Sequence, residues 1–253
     1  MKVVLFQQDI VWADPASNRA RIESVIGNVS NPDLVVLPEM FSTGFATSPE
    51  GIAEDAPSET FAWMKRMAAE MDCAFAGSVA IRENGLYYNR FAFVKPDGNV
   101  TLYDKHHLFT YGGEDKRFTA GNGRVVVEWR GVRFLLSVCY DLRFPVWLRN
   151  RKDYDALICV ASWPTPRRKA WDALLRARAI ENQCFVLAVN RVGKDPSCEY
   201  CGGTALIDPY GATIAAAEDG MEAIIEGEIE MDRLDTFRKA FPVLNDSDDF
   251  EIC

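Results

Sequence analysis

Apolar residues along this chain follow two alternating patterns. Short, nearly continuous apolar runs bounded by Gly, Pro, Asn and Asp read as strands. Between them, apolar residues return every three or four positions, the period of a helix with one buried face. The strand-like runs fall at residues 2–8, 34–37, 74–81, 88–95, 100–104, 124–129, 132–138, 156–161, 184–190, 203–207 and 223–229. Pro96-Asp97-Gly98 and Trp129-Arg130-Gly131 separate neighbouring runs as tight turns.

The helical stretches have recognisable ends. Asp14-Pro15 offers an N-cap followed by proline in the first turn, and Ile22, Val25 and Ile26 then mark the apolar stripe. A second helix is expected from about Ser58, with Phe61, Met64, Ala68 and Met71 on one face, and a third after Pro145. A fourth spans residues 168–182, with Trp171, Leu174 and Leu175 inward and Arg178, Glu181 and Asn182 close enough to satisfy one another. Many strands and about five helices predict an α/β chain of α+β-type layers, two stacked sheets covered by helices, not one doubly wound sheet. No repeat, linker or low-complexity segment interrupts the sequence, so residues 1–253 are expected to form one domain.

Composition narrows the function classes. The 28 Lys and Arg against 37 Asp and Glu give a net charge of −9, which argues against a non-specific nucleic-acid binder. Apolar runs such as Phe134-Leu135-Leu136 fall far short of the roughly 18–20 residues of a membrane span. The seven cysteines are an odd, irregularly spaced set, which points to a reducing compartment. Met1-Lys2 runs straight into Val3-Val4-Leu5-Phe6 without signal-peptide features, and the expected location is the cytoplasm. These properties suit an enzyme of small molecules.

The search for familiar sites is mostly negative. The chain has no G-x-S-x-G elbow, no G-x-x-x-x-G-K-[ST] loop and no G-x-G-x-x-G opening a helix. Its two histidines, His106 and His107, are adjacent, which makes a zinc site hard to assemble. Cys198-Glu199-Tyr200-Cys201 is a lone C-x-x-C leading into Gly202-Gly203, and the simplest reading is a loop with two incidental thiols. No cofactor and no metal are implied.

Cys139 stands apart because it ends the apolar run Phe134–Val138 and lies just before Pro145, so it is expected at a strand-to-helix elbow. Backbone N–H groups there favour a thiolate and can hold an oxyanion. Many cysteines in such positions are simply buried structure. Two further strands end in reactive groups: Leu34-Val35-Val36-Leu37-Pro38 delivers Glu39, and Leu102-Tyr103-Asp104 delivers Lys105. An acid, a base and a thiol at three strand ends form a constellation.

Val36-Leu37-Pro38-Glu39-Met40-Phe41, Tyr103-Asp104-Lys105-His106-His107-Leu108-Phe109 and Val138-Cys139-Tyr140-Asp141-Leu142-Arg143-Phe144-Pro145 together resemble the nitrilase superfamily of carbon–nitrogen hydrolases. The resemblance extends across the chain through Gln8, Asn18, residues 176–183 and Asp208-Pro209-Tyr210-Gly211. Phe41-Ser42-Thr43-Gly44-Phe45, Ala161-Ser162-Trp163-Pro164 and Phe241-Pro242 through Asp249-Phe250 look like the bacterial ω-amidase branch, with residues 240–253 as a C-terminal extension. The resemblance implies a four-layer αββα sandwich, a homodimer or higher homo-oligomer, and a Glu39-Lys105-Cys139 triad joined by Glu114. Thr204 departs from the serine of many relatives.

The implied reaction releases ammonia from the ω-amide of a small keto acid, 2-oxoglutaramate or 2-oxosuccinamate, through a thioester on Cys139. Glu39 would be the base, Lys105 and the Tyr140 N–H the oxyanion donors, and Glu114 an orienting carboxylate. The substrate carboxylate needs a cationic receptor in an acidic protein. Arg143 is one candidate, with Arg117, Arg167 and Arg168 as alternatives, and Phe41, Tyr111, Tyr140 and Trp163 are candidate pocket walls. Other superfamily amide, carbamoyl or nitrile hydrolases remain open. So do a Cys–His hydrolase using His106 or His107 and a non-catalytic dimeric binding module.

Overall fold

The computed structural model describes residues 1–251; Ile252 and Cys253, the last two positions of the 240–253 extension, lie outside the described residues. One sheet runs, in spatial order, Ala223–Glu228, Lys2–Gln7, Leu34–Val36, Ala74–Glu83, Leu86–Val94 and Val100–Asp104, with the short strand Glu54–Asp55 beside the far end of Ala74–Glu83. The other runs Thr213–Ala216, Ala205–Ile207, Phe185–Asn190, Ala156–Ala161, Val132–Val138 and Val126–Trp129. In each sheet the middle strands are parallel and the flanking ones antiparallel. Parallel neighbours need crossovers. Helices Pro15–Ile26 and Glu59–Met71 supply them for the first sheet; in the second, Arg168–Asn182 links Ala156–Ala161 to Phe185–Asn190, and the turns Cys139–Arg143 and Pro145–Leu148 lie on the link from Val132–Val138 to Ala156–Ala161.

Strand alternation shows how the layers stack. Val3, Leu5, Leu34, Val36, Phe91 and Phe93 share a buried cluster with Phe134, Leu136, Ile158 and Leu187 of the other sheet. The alternate residues Val4, Phe6, Val35 and Phe75 pack instead with Ile22, Ile26, Met64 and Ala68 of the two helices. Burial on both faces is why these strands read as continuous apolar runs and not as alternating ones. The second sheet carries the core on to Trp171, Leu175 and Ala179 of its own helix. The order is helix, sheet, sheet, helix, which is the αββα sandwich.

Local chemistry fixes the element ends. The Asp14 side chain accepts from the Ser17 N–H at 3.0 Å ahead of Pro15, and Ser58 accepts from the Phe61 N–H at 3.1 Å. Arg130 and Gly131, with φ of +46° and +80°, make the tight turn between Val126–Trp129 and Val132–Val138. In Glu59–Met71 the buried face is centred on Trp63, Met64, Met67 and Ala68, so Phe61 and Met71 lie at its margins. Pro145 opens only the single turn Pro145–Leu148, because a 3-10 turn, Cys139–Arg143, already occupies the elbow. Strands Thr213–Ala216, Val192–Lys194 and Glu199–Cys201 were not expected from the sequence: they are short, and the first is largely exposed.

Asp155 ties three elements together. Its carboxylate accepts from Arg133 Nε and Nη2 at 2.9 and 2.7 Å and from Arg238 Nη1 at 2.7 Å, joining the second sheet to helix Met231–Ala240. Burial pushes its pKa up, but the two guanidiniums outweigh burial and hold it below the usual carboxylate range. A depressed folded-state pKa contributes stability above the unfolded value, and that contribution is lost as pH falls through the folded value. Asp155→Asn should therefore cost about 2 kcal/mol at pH 7. Thermal melts should show a Tm lowered by roughly 4–8 °C, with the difference from wild type closing as the pH falls below about 4.

Candidate active site

Strand ends from both sheets meet at one place. Glu39 follows Leu34–Val36 after Leu37-Pro38, Lys105 directly follows Val100–Asp104, and Cys139 directly follows Val132–Val138. The Lys105 backbone is held from both sides: its N–H donates to Asn89 O, and its carbonyl accepts from the Gly121 N–H, each at 3.0 Å. A Cβ at Gly121 would stand 2.1 Å from the Asp104 carbonyl oxygen, so only glycine fits there.

The three charged side chains are fully buried and satisfy each other. Lys105 Nζ donates to Glu39 Oε1 at 2.9 Å and to Glu114 Oε2 and Oε1 at 2.9 and 3.2 Å. Glu39 Oε2 accepts from the Ser162 N–H at 2.8 Å, and Glu114 Oε2 from the Phe109 N–H at 2.6 Å. Asn89 Nδ2 bridges the carboxylates, at 2.8 Å from Glu39 and 3.1 Å from Glu114. Sequence reasoning missed Asn89 and Ser162. Asn89 left a signal as an amide within the mostly apolar strand Leu86–Val94, whereas Ser162 acts through its backbone and left none.

The electrostatics follow from burial. Desolvation pulls the Lys105 pKa down, but Glu114 and Glu39 outweigh it and the ammonium is held above its ordinary value. Burial and the neighbouring Glu39 charge push Glu114 up. Burial, then the Glu39 charge, raise the Cys139 thiol far above its ordinary value, against the opposing pull of Lys105. These surroundings favour the neutral thiol over the thiolate at Cys139. Its backbone is in the left-handed region at φ +47°, which turns the side chain out of the strand line.

Cys139 and Lys105 open onto a cavity of about 50 Å³ walled by Phe45, Phe109, Tyr140, Trp163 and Tyr200. Two arginines complete the wall: Arg143 lies over the Trp163 ring at 4.8 Å and Arg167 over the Phe109 ring at 5.1 Å. Among the described residues neither has a carboxylate partner. The other two arginine candidates are taken. Arg117 pairs with Glu50 at 3.2 Å on the surface, and Arg168 pairs with Asp172 and Asp219 at 2.8 and 2.7 Å.

Two expected wall residues lie elsewhere. Phe41 is fully buried beneath the site, packed on Trp63 at 6.1 Å, because its side chain belongs to the sheet–helix core. Tyr111 is 86% exposed on the turn Thr110–Gly112 and reaches only the rim, 5.8 Å from Phe109. Neither His106 nor His107 lines the cavity. Cys198 does, because strands Val192–Lys194 and Glu199–Cys201 pair as a hairpin that brings Cys198 and Tyr200 against it.

A family model described as carbon-nitrogen hydrolase matches residues 2–239. The chain is 44% identical over 255 aligned residues to Omega-amidase YafV of Escherichia coli (strain K12), covering 100% of this chain and 98% of that one. It is 36% identical to the 2-oxoglutaramate amidase of Bacillus subtilis (strain 168), covering 95% of each. Among solved structures, XC1258 of Xanthomonas campestris, a CN-hydrolase superfamily protein with an arsenic adduct in its active site, superposes with a TM-score of 0.97 at 41% identity, covering 100% of this chain and 99% of that one. The chain belongs to the carbon-nitrogen hydrolase family, within the nitrilase superfamily that its three strand-end motifs resemble.

Proposed function

We propose that this C–N hydrolase is an ω-amidase that releases ammonia from the terminal amide of a small 2-oxo acid, with 2-oxoglutaramate and 2-oxosuccinamate as the best-fitting substrates. The observation that carries the reading is the pair of unpaired guanidiniums, Arg143 and Arg167, on the wall of the cavity that holds Cys139. Guanidiniums left without a carboxylate in a protein of net charge −9 fit an anionic ligand. The names of the E. coli and B. subtilis relatives support the same class.

In this reading Glu39 takes the Cys139 proton as sulfur attacks the amide carbon. The developing oxyanion is held by Lys105 and the Tyr140 N–H. Glu39 returns the proton to the amide nitrogen, the C–N bond breaks, and ammonia leaves a thioester on Cys139. Water then loses a proton to Glu39 and attacks the thioester. The C–S bond breaks, and the sulfur recovers a proton. Lys105 keeps its charge throughout, because Glu114 and Asn89 remain bonded to the ammonium and the carboxylates.

Ammonia release should be compared for 2-oxoglutaramate, 2-oxosuccinamate, glutamine, carbamoyl amino acids, nitriles and neutral butyramide, with the 2-oxo acid amides expected to give the highest kcat/KM. Cys139→Ala and Lys105→Met should abolish release from every substrate, and rapid quench of the wild type should show an acyl adduct on Cys139 by mass spectrometry. Glu114→Gln should lower kcat on the order of 10²-fold. Arg143→Met and Arg167→Met should each raise KM for the anionic amides roughly 10- to 100-fold, the scale of a charge-assisted hydrogen bond, while leaving butyramide unchanged. Equal turnover of butyramide and 2-oxoglutaramate, insensitive to both arginines, would overturn the anionic-substrate reading.

A further inference from the structure

We propose that His107 and Asp141 are a positioning pair that sets where the Cys139 thiol stands relative to Lys105. The inference deepens the reading above and rests on Cys139 being the nucleophile. It starts from the backbone. A left-handed conformation at a residue with a Cβ costs about 1–2 kcal/mol, so the surroundings must hold Cys139 there.

The buried Asp141 carboxylate is what grips the turn. Asp141 Oδ2 accepts from the Val138 N–H at 3.0 Å, the residue immediately before the nucleophile, and from the Tyr103 hydroxyl at 2.7 Å. Asp141 Oδ1 accepts from the His107 N–H at 2.9 Å and from His107 Nδ1 at 2.8 Å. Tyr103 and His107 lie two residues on either side of Lys105. One carboxylate thus joins the segment bearing the thiol to the segment bearing the ammonium. A carboxylate only accepts, so Nδ1 carries the proton. Among the described residues, no Arg or Lys pairs with Asp141, and the imidazole is its one basic partner.

The ring is clamped so that it can do this. His107 stacks on Phe144 with centroids 3.7 Å apart and planes 5° from parallel. His106 stacks on Trp147 at 3.8 Å and stands edge-on to His107 at 4.6 Å, and Trp147 Nε1 donates to the Tyr103 hydroxyl at 3.2 Å. Phe144 and Trp147 directly follow the nucleophile turn, so the clamp and its load are one stretch of chain. His107 does not line the cavity, so it acts through Asp141 and not on substrate. A displacement near 1 Å at a reacting group costs on the order of 10² in rate.

His107→Phe keeps the stack and removes the Nδ1 donor, whereas His107→Asn places an amide nitrogen near the Nδ1 position. We expect His107→Phe to lower kcat about 10- to 100-fold with KM within twofold of wild type, and His107→Asn to recover most of the loss. Alkylation of Cys139 by iodoacetamide, read on its own peptide by mass spectrometry, should slow in parallel. That readout does not depend on which amide is the substrate, so it stands even if the ω-amidase reading fails. Wild-type kcat and alkylation in His107→Phe overturn the proposal. So does His107→Asn as impaired as His107→Phe, since the ring's Nε2 would then be the group in use. If His107→Phe does not fold, Tyr103→Phe removes the other side-chain donor to Asp141. It should lower kcat and Cys139 alkylation several-fold at constant KM, and unchanged values again overturn the proposal.

Discussion

A fully buried ammonium between two fully buried carboxylates is the constraint around which the rest of the site is arranged. Removing three charges from water costs several kcal/mol per ion, and Coulomb attraction offsets that only when the remaining lone pairs are also satisfied. Here the Ser162 N–H, the Phe109 N–H and the Asn89 amide do so. Those donors come from both sheets and from the turn after Lys105. The triad therefore depends on the sheets stacking in one register, and the core shared by Phe93 and Phe134, 5.9 Å apart, fixes that register. Burial, and then the Glu39 charge, oppose ionisation of Cys139, so a neutral thiol rests beside the trio.

A neutral thiol does not by itself set Cys139 apart from the other cysteines. Burial pushes Cys73, Cys159 and Cys184 up to about 12 as well, and they sit in packed core. A raised pKa alone does not separate a reactive cysteine from a structural one. Cys139 differs in its surroundings: a cavity in front, a carboxylate and an ammonium beside it, and a backbone twist that faces it toward them.

The same distinction explains how far the sequence could be read. Continuous apolar runs revealed the two-sheet core because residues such as Val3-Val4-Leu5-Phe6 are buried on both faces, and the carboxylate, ammonium and thiol were legible as strand-end groups. Side-chain direction was not. Phe41 lies within a motif yet points into the helix-covered core, and Tyr111 lies near Glu114 yet points to water. Strand Glu199–Cys201 was invisible because its partner is a three-residue strand and not a long apolar run. The arginine question was hard to decide in one dimension, since Arg117 is taken by Glu50 and Arg168 in part by Asp219, acids distant in sequence, although Asp172, one turn along the helix from Arg168, was within reach of a sequence reading.

The two remaining guanidiniums show how an acidic protein can present a local positive wall without an unstable one. Arg143 and Arg167 rest on indole and phenyl faces, so they are partly compensated by ring quadrupoles while their donor edges stay free. Behind the wall, Arg191 is fully buried over the Tyr200 ring at 4.6 Å, and among the described residues its guanidinium donates to the carbonyls of Ile10, Val192 and Lys194. Desolvation pulls its pKa down, yet a guanidinium starts high enough to keep its proton. A lysine in any of these places would give up the planar stacking and, at the buried one, risk its charge. Arginine on aromatic rings is thus the arrangement that lets a cavity with no carboxylate in its wall stay cationic beside the buried excess negative charge of Glu39 and Glu114.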